Sequence, residues 1–162
     1  MSDAIKMIVL DVDGTLTNGQ ILLMEIDNKI VEAKSFNVKD GMGISQWIKD
    51  GGLVSIISGR RCSVVLHRAR ELGVQEIHLG IENKLPCLNG ICEKYEILPS
   101  NIACIGDDIN DIVLYNFCRY SFAPADASIV NRSRASFITN ARGGHGAVRE
   151  MIDILMGMKA CK

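Results

Sequence analysis

The sequence predicts an α/β fold built on an open parallel sheet, and three observations carry that expectation. Short apolar runs (Ile8-Val9-Leu10, Leu53 to Ile57, Glu76 to Leu79, Ile102 to Ile105) alternate with longer stretches of helical periodicity, the rhythm of strands joined by right-handed crossovers. Three of these runs break off into polar, glycine-bearing turns: Asp11-Val12-Asp13-Gly14-Thr15-Leu16-Thr17, Ser58-Gly59-Arg60 and Gly106-Asp107-Asp108. The length, 162 residues, fits one domain over 1–162 with a core large enough to need no staple.

Composition narrows the function classes. Lys plus Arg (18) nearly balance Asp plus Glu (19), so no polyelectrolyte partner is implied, neither nucleic acid nor a membrane surface. Met1 to Lys6 leads straight into a short apolar strand without a basic region or cleavage site, so no leader is expected there, and no segment reaches membrane-spanning length. Six cysteines (Cys62, Cys87, Cys92, Cys104, Cys118, Cys161) form no CxxC pair and fall mostly within apolar patterns, which suits reduced thiols in a cytoplasmic protein. Cys87, Cys92 and His78 have the wrong spacing for a zinc site.

The elements follow in order. After the opening strand, Gln20 to Ile26 and Lys29 to Phe36 flank Asp27-Asn28 and read as a β-hairpin, a flap over about 19–36. It is too small for a domain, and Ile21, Leu23 and Met24 need cover, which points to another subunit. From Lys39 the pattern is helical, with Met42, Ile44, Trp47 and Ile48 on one face and a stop at Asp50-Gly51-Gly52. A strand from Leu53, a helix from about Cys62 to Leu72, the strand Glu76 to Leu79 and a helix from Lys84 to Tyr95 come next, with Pro86 tolerated in the first turn. The strand Ile102 to Ile105 opens into Gly106 to Asp111 and a helix ending near Phe117. A short strand near Tyr120, a small helix around Asp126 to Asn131 and an edge strand at Phe137-Ile138 precede the flexible Gly143-Gly144-His145-Gly146 loop. Val148, Met151, Ile152 and Leu155 mark a closing helix from Ala147 to Met158.

Four polar groups share one topological address, the loop after a strand: Asp11 with Asp13, Ser58-Gly59-Arg60, Lys84, and Asp107-Asp108. Parallel strands send all such loops to the same edge, so these residues converge on one crevice. Taken singly each is ordinary: a solvated strand end, a turn, an exposed first-turn lysine, a helix N-cap. Together they need a different reason. Gathered carboxylates stay ionised only beside a cation, and hard oxygen ligands select Mg2+. The Ser58 hydroxyl, the Gly14 and Gly59 amides, Lys84 and the metal then form a receptor for a phosphate. One aspartate can be phosphorylated as nucleophile while the other, two residues on, protonates the leaving alkoxide and later deprotonates water.

In order and spacing, Asp11 to Thr17, Ser58-Gly59-Arg60, Lys84 and Gly106-Asp107-Asp108-Ile109-Asn110-Asp111 resemble the four motifs of the haloacid dehalogenase superfamily. Gly19, Phe36-Asn37-Val38-Lys39-Asp40-Gly41 and Arg142-Gly143-Gly144-His145-Gly146-Ala147-Val148-Arg149-Glu150 extend the resemblance to its 3-deoxy-D-manno-octulosonate 8-phosphate phosphatase branch, over nearly the whole chain. The resemblance implies a Rossmann-like three-layer core with a projecting hairpin and no separate cap domain. It implies Asp11 as nucleophile, Asp13 as acid/base, and Mg2+ held by Asp11, the Asp13 backbone carbonyl and Asp107. Ser58 and Lys84 would bind the phosphate, Asp108 would stand behind the metal ligands, and Asp111 would hold Lys84 or its loop. It further implies a phosphorylated sugar-acid substrate and a homotetramer whose hairpins lie over neighbouring sites. Branch members often carry a basic residue where this chain has His145, and their tails commonly run on beyond the position of Lys162; both regions bear on substrate. Arg60 favours the octulosonate substrate over a nonulosonate 9-phosphate. A non-catalytic assembly module would not require Asp11 or Asp13, and a phosphotransferase or mutase would need a cap to retain its intermediate.

Overall fold

The computed structural model describes residues 4–160. Met1–Asp3 of the N-terminal stretch and Cys161 of the thiol set lie outside the described residues. In chain order the elements are β1 (Met7–Leu10), a hairpin of β2 (Leu22–Ile26) and β3 (Lys29–Ala33), α1 (Val38–Lys49), β4 (Leu53–Ser58), α2 (Ser63–Glu71) and β5 (Glu76–Leu79). Then come α3 (Lys84–Tyr95), β6 (Ile102–Ile105), α4 (Ile112–Phe117), β7 (Tyr120–Ala123), α5 (Ile129–Arg134), β8 (Phe137–Ile138) and α6 (Ala147–Ala160). Single 3-10 turns precede β6 (Pro99–Asn101) and α4 (Ile109–Asp111).

Six strands form one parallel sheet in the order β5-β4-β1-β6-β7-β8. The chain builds outward from β1 through β4 and β5, then crosses back to lay β6, β7 and β8 on the other side. That reversal puts the switch point between β1 and β6, where a crevice opens beyond the strand ends. Strand alternation divides the core into two layers. Ile8, Leu10, Val54, Ile56, Ala103 and Ile105 pack with Ile44, Trp47, Val65, Val148, Met151 and Ile152, the apolar faces of α1, α2 and α6. Met7, Val9, Ile57, Ile102 and Cys104 face the opposite way, onto Leu88, Ile91, Cys92, Leu114 and Tyr115 of α3 and α4. The three-layer α/β expectation therefore holds.

Local chemistry fixes the boundaries. Asn37 caps α1 by accepting from the Lys39 N–H at 2.8 Å. Buried Trp47 donates from Nε1 to the Leu53 carbonyl at 3.0 Å, tying the end of α1 to the start of β4. The small helix expected around Asp126 to Asn131 instead spans Ile129–Arg134. Ser128 is its N-cap, accepting from the Asn131 N–H, while Asp126 turns its carboxylate to the Gly143 N–H at 2.9 Å. Asp27 and Asn28 both adopt left-handed φ (49° and 58°), the two-residue turn that matches strand twist. The hairpin makes its own two-stranded sheet, and Leu22, Leu23, Ile26 and Ile30 are each more than half exposed.

Candidate active site

The crevice at the β1/β6 switch point is an open cleft of about 230 Å³ lined by Asp11, Asp13, Ser58, Gly59, Arg60, Asp107, Asp108, Ile109 and Asn110. The structure thus brings together residues spread over a hundred positions of sequence. Asp11 follows β1 directly, and its backbone N–H donates to the Ile105 carbonyl at 3.1 Å, which locks the two loops side by side. Gly14 is required by two constraints at once. Its φ of +90° is one that L side chains rarely adopt, and a Cβ there would lie 2.0 Å from Asp107 Oδ2.

Lys84, the first residue of α3, sends Nζ inward to Asp11 Oδ1 and Asp111 Oδ1, both at 2.6 Å. Its side chain has no exposed surface. Burial opposes the ammonium charge, but Asp11 and Asp111 outweigh it and hold the Lys84 pKa above its ordinary value. The other oxygen of Asp111 accepts the N–H groups of Asp107 (3.1 Å) and Asp108 (3.3 Å), so Asp111 serves both Lys84 and the loop. Asp108 accepts from the Ile109 N–H at 2.8 Å and caps the 3-10 turn. Ser58 Oγ accepts from the Arg60 N–H at 3.3 Å, which leaves its own proton available to a ligand.

Carboxylate oxygens of Asp11, Asp107 and Asp111 lie within 4.8 Å of one another. Burial first, then the charge of Asp111, push the Asp11 carboxyl up to about 7, with Lys84 pulling it back. Asp107 rises to about 8 through burial and then through Asp11, Asp111 and Asp108. Its carboxylate accepts no hydrogen bond and joins no ion pair among the described residues, whereas both oxygens of Asp111 are engaged. An unpartnered carboxylate crowded by like charges is the environment a divalent cation relieves, and the donors are all hard oxygens, so the residues fit Mg2+. Within the cluster, Asp107 and the open oxygen of Asp11 are the groups available to a cation.

Three sets of contacts were not anticipated from sequence. The hairpin reaches the cleft: Lys34 donates to Asp13 Oδ1 and pairs with Glu32 at 2.9 Å, while Arg60 donates to Glu32 at 3.0 Å. The loop after β8 braces the loop after β1: the Gly144 N–H donates to the Thr15 carbonyl at 2.9 Å, and a Cβ on Gly143 would sit 1.8 Å from the Gly14 carbonyl oxygen. Buried Asp40 holds that brace by accepting the N–H groups of Gly146 (3.3 Å) and Arg149 (2.8 Å). Tyr115 donates to the Gly106 carbonyl at 2.6 Å and Asn131 to that of Asp108 at 2.7 Å, fixing the acidic loop from below. The glycines expected to make a flexible loop are instead positions of close backbone approach.

An aspartate pair at the switch point of a doubly wound sheet, backed by a buried lysine and a second acidic loop, defines a hydrolase of phosphate esters. A family model for haloacid dehalogenase-like hydrolases matches residues 77–152. The 3-deoxy-D-manno-octulosonate 8-phosphate phosphatase of Salmonella typhi is 38% identical over 155 residues, 96% of this chain and 81% of that one. That of Yersinia pestis is 35% identical over 152 residues, 94% of this chain and 80% of its own. The crystal structure of a Yersinia pestis phosphatase of the same name superposes with a TM-score of 0.93 at 34% identity, covering 96% of this chain and 83% of that one. One from Moraxella catarrhalis, in complex with magnesium, phosphate and KDO, superposes with a TM-score of 0.89 at 35% identity, covering 94% and 86%. This chain belongs to the haloacid dehalogenase-like hydrolases, among their phosphatases.

Proposed function

We propose that this protein is a Mg2+-dependent phosphomonoesterase that converts 3-deoxy-D-manno-octulosonate 8-phosphate to the free sugar acid and phosphate through an aspartyl-phosphate. The observation that carries the chemistry is the pairing of Asp11 with buried Lys84 in a cleft that also holds Asp13, Ser58 and Asp107. The substrate rests on the relatives, whose names specify that ester over most of the chain's length.

Asp11, Asp107 and the Asp13 backbone carbonyl would hold the metal. Bound there, Mg2+ supplies positive charge for the crowded carboxylates and for the phosphate oxygens. Lys84 and the Ser58 hydroxyl bind the phosphate, Lys84 as a fixed charge and Ser58 as a donor. An Asp11 oxygen attacks phosphorus, the bond from phosphorus to the sugar oxygen breaks, and Asp13 gives its proton to the departing alkoxide. Water then attacks phosphorus and gives a proton to Asp13, the Asp11–phosphorus bond breaks, and phosphate leaves with both aspartates restored. Arg60 stands at the cleft mouth with 45% of its side chain exposed and paired to Glu32; exchanging that partner, it would meet the sugar-acid carboxylate.

The whole chain acts as one domain without a separate cap. The exposed apolar hairpin supports a homotetramer in which each flap covers a neighbour's cleft. Among the described residues no helix is long and apolar enough to cross a membrane, and five free thiols suit the cytoplasm. Asp11→Asn tests the reading: phosphate release should vanish while the fold persists, and activity near wild type would refute it. Comparing kcat/KM for octulosonate 8-phosphate and a nonulosonate 9-phosphate, then repeating with His145→Arg, tests the substrate. A preference for the nonulosonate would overturn it.

A further inference from the structure

Beyond the cleft residues, the hairpin contributes an ionic ring to the site. Lys34 sits one residue past β3 and donates from Nζ to Asp13 Oδ1 while pairing with Glu32 Oε1 at 2.9 Å. Arg60 closes the ring from the other side, at 3.0 Å from Glu32 Oε2 and 3.8 Å from Asp13 Oδ2. Two acids and two bases alternate around the ring. Its members differ in freedom. The Lys34 side chain has no exposed surface, whereas that of Arg60 is 45% exposed. An anionic ligand entering the cleft can therefore draw Arg60 away without disturbing Lys34.

We infer that Lys34 is the positioning residue for the acid/base step: by holding Asp13 Oδ1 against the hairpin it leaves Oδ2, whose partner is the more exposed Arg60 at 3.8 Å, as the oxygen that carries the proton. This rests on the proposed role of Asp13. An aspartate held by one oxygen keeps a single rotamer, while a free one spreads over several, and proton transfer needs the carboxyl within hydrogen-bond reach of the leaving oxygen. Glu32 keeps the Lys34 ammonium in place by neutralising it. The flap is thereby wired to the chemistry as well as to a neighbouring subunit, since a displaced β3 would carry Lys34 off Asp13.

The test reads leaving-group release in the first turnover, which separates this step from hydrolysis of the phosphoenzyme. Two substrates are compared in the full-length, Mg2+-loaded protein: octulosonate 8-phosphate, whose alkoxide must be protonated, and p-nitrophenyl phosphate, whose acidic phenol leaves without a proton. Lys34→Met should slow release from the sugar phosphate by about tenfold or more and from the aryl phosphate by less than about threefold, since general-acid help is worth about a hundredfold or more where it is needed. Lys34→Arg, which restores a donor, should recover most of the loss, and Asp13→Asn should show the same selectivity in stronger form. An equal loss on both substrates would mark Lys34 as merely structural and overturn the inference, as would no loss. If Asp13→Asn itself fails to discriminate, the acid/base reading of Asp13 falls and the inference with it.

Discussion

Replacing Lys84 with methionine keeps an unbranched chain of similar size and deletes the ammonium that Asp11 and Asp111 share at 2.6 Å each. Both carboxylates are buried, at 6% and 1% exposure, so solvent compensates poorly for the lost partner, least of all at Asp111, which does not line the cleft. Breaking a buried ion pair from one side costs about 3–5 kcal/mol, because an uncompensated charge remains. For a chain of this length each kcal/mol lowers Tm by roughly 2–4 °C, so a fall of roughly 6–20 °C is expected in chelator. The loss should be largest near pH 8 and smaller near pH 5, where Asp11, already held up to about 7, takes a proton in place of the missing cation. Lys84→Met combined with Asp111→Asn removes one of the opposed charges and should recover part of the loss. Thermal unfolding of both variants at the two pH values is the assay. A cost below about 1 kcal/mol near pH 8, the range of an exposed pair, would refute the reasoning.

Further outcomes follow from the same geometry. Gly14→Ala should abolish phosphate release, because its Cβ would stand 2.0 Å from Asp107 Oδ2 at a φ of +90°, and wild-type turnover would contradict that contact. Gly143→Ala should do the same from the far side, its Cβ meeting the Gly14 carbonyl oxygen at 1.8 Å, and should also lower Tm; an unchanged melt would argue against the brace. Asp11 and Asp107 hold protons to about 7 and about 8, above their ordinary 3.8. Between about pH 4 and pH 8 the metal-free folded chain therefore binds more protons than the unfolded one, and its stability falls as pH rises through that window. The Tm gain on adding Mg2+ should then be larger near pH 8 than near pH 5, and the opposite order would exclude those carboxylates as ligands.

Sequence legibility followed the backbone's own rules. Asp11, Asp13, Ser58 and Asp107 were readable as one site because each ends or follows a strand of a parallel sheet, and topology alone sends such residues to one edge. Lys84 was readable as a member of the set, but its double pairing with Asp11 and Asp111 depends on how deep the start of α3 lies. Lys34 and Glu32 were not readable: their reach to Asp13 and Arg60 depends on the angle at which the hairpin leaves the core, which no local pattern encodes. Asp40 and Asp126 looked like a first-turn acid and a helix residue, yet they accept backbone N–H groups of the loop before α6 from distant parts of the chain. The start of α5 at Ile129, later than the expected helix around Asp126, follows from Ser128, whose side chain caps the helix by accepting from the Asn131 N–H.

The central claim is that Asp11 is transiently phosphorylated. Acid quench in the first turnover followed by borohydride, which reduces an acyl-phosphate to an alcohol, should convert position 11 to homoserine, detectable by peptide mass spectrometry. Conversion at position 11 that depends on both substrate and Mg2+ is the expected result. Full turnover with no reduction there, or with reduction at Asp107 instead, would contradict the assignment of Asp11 as nucleophile.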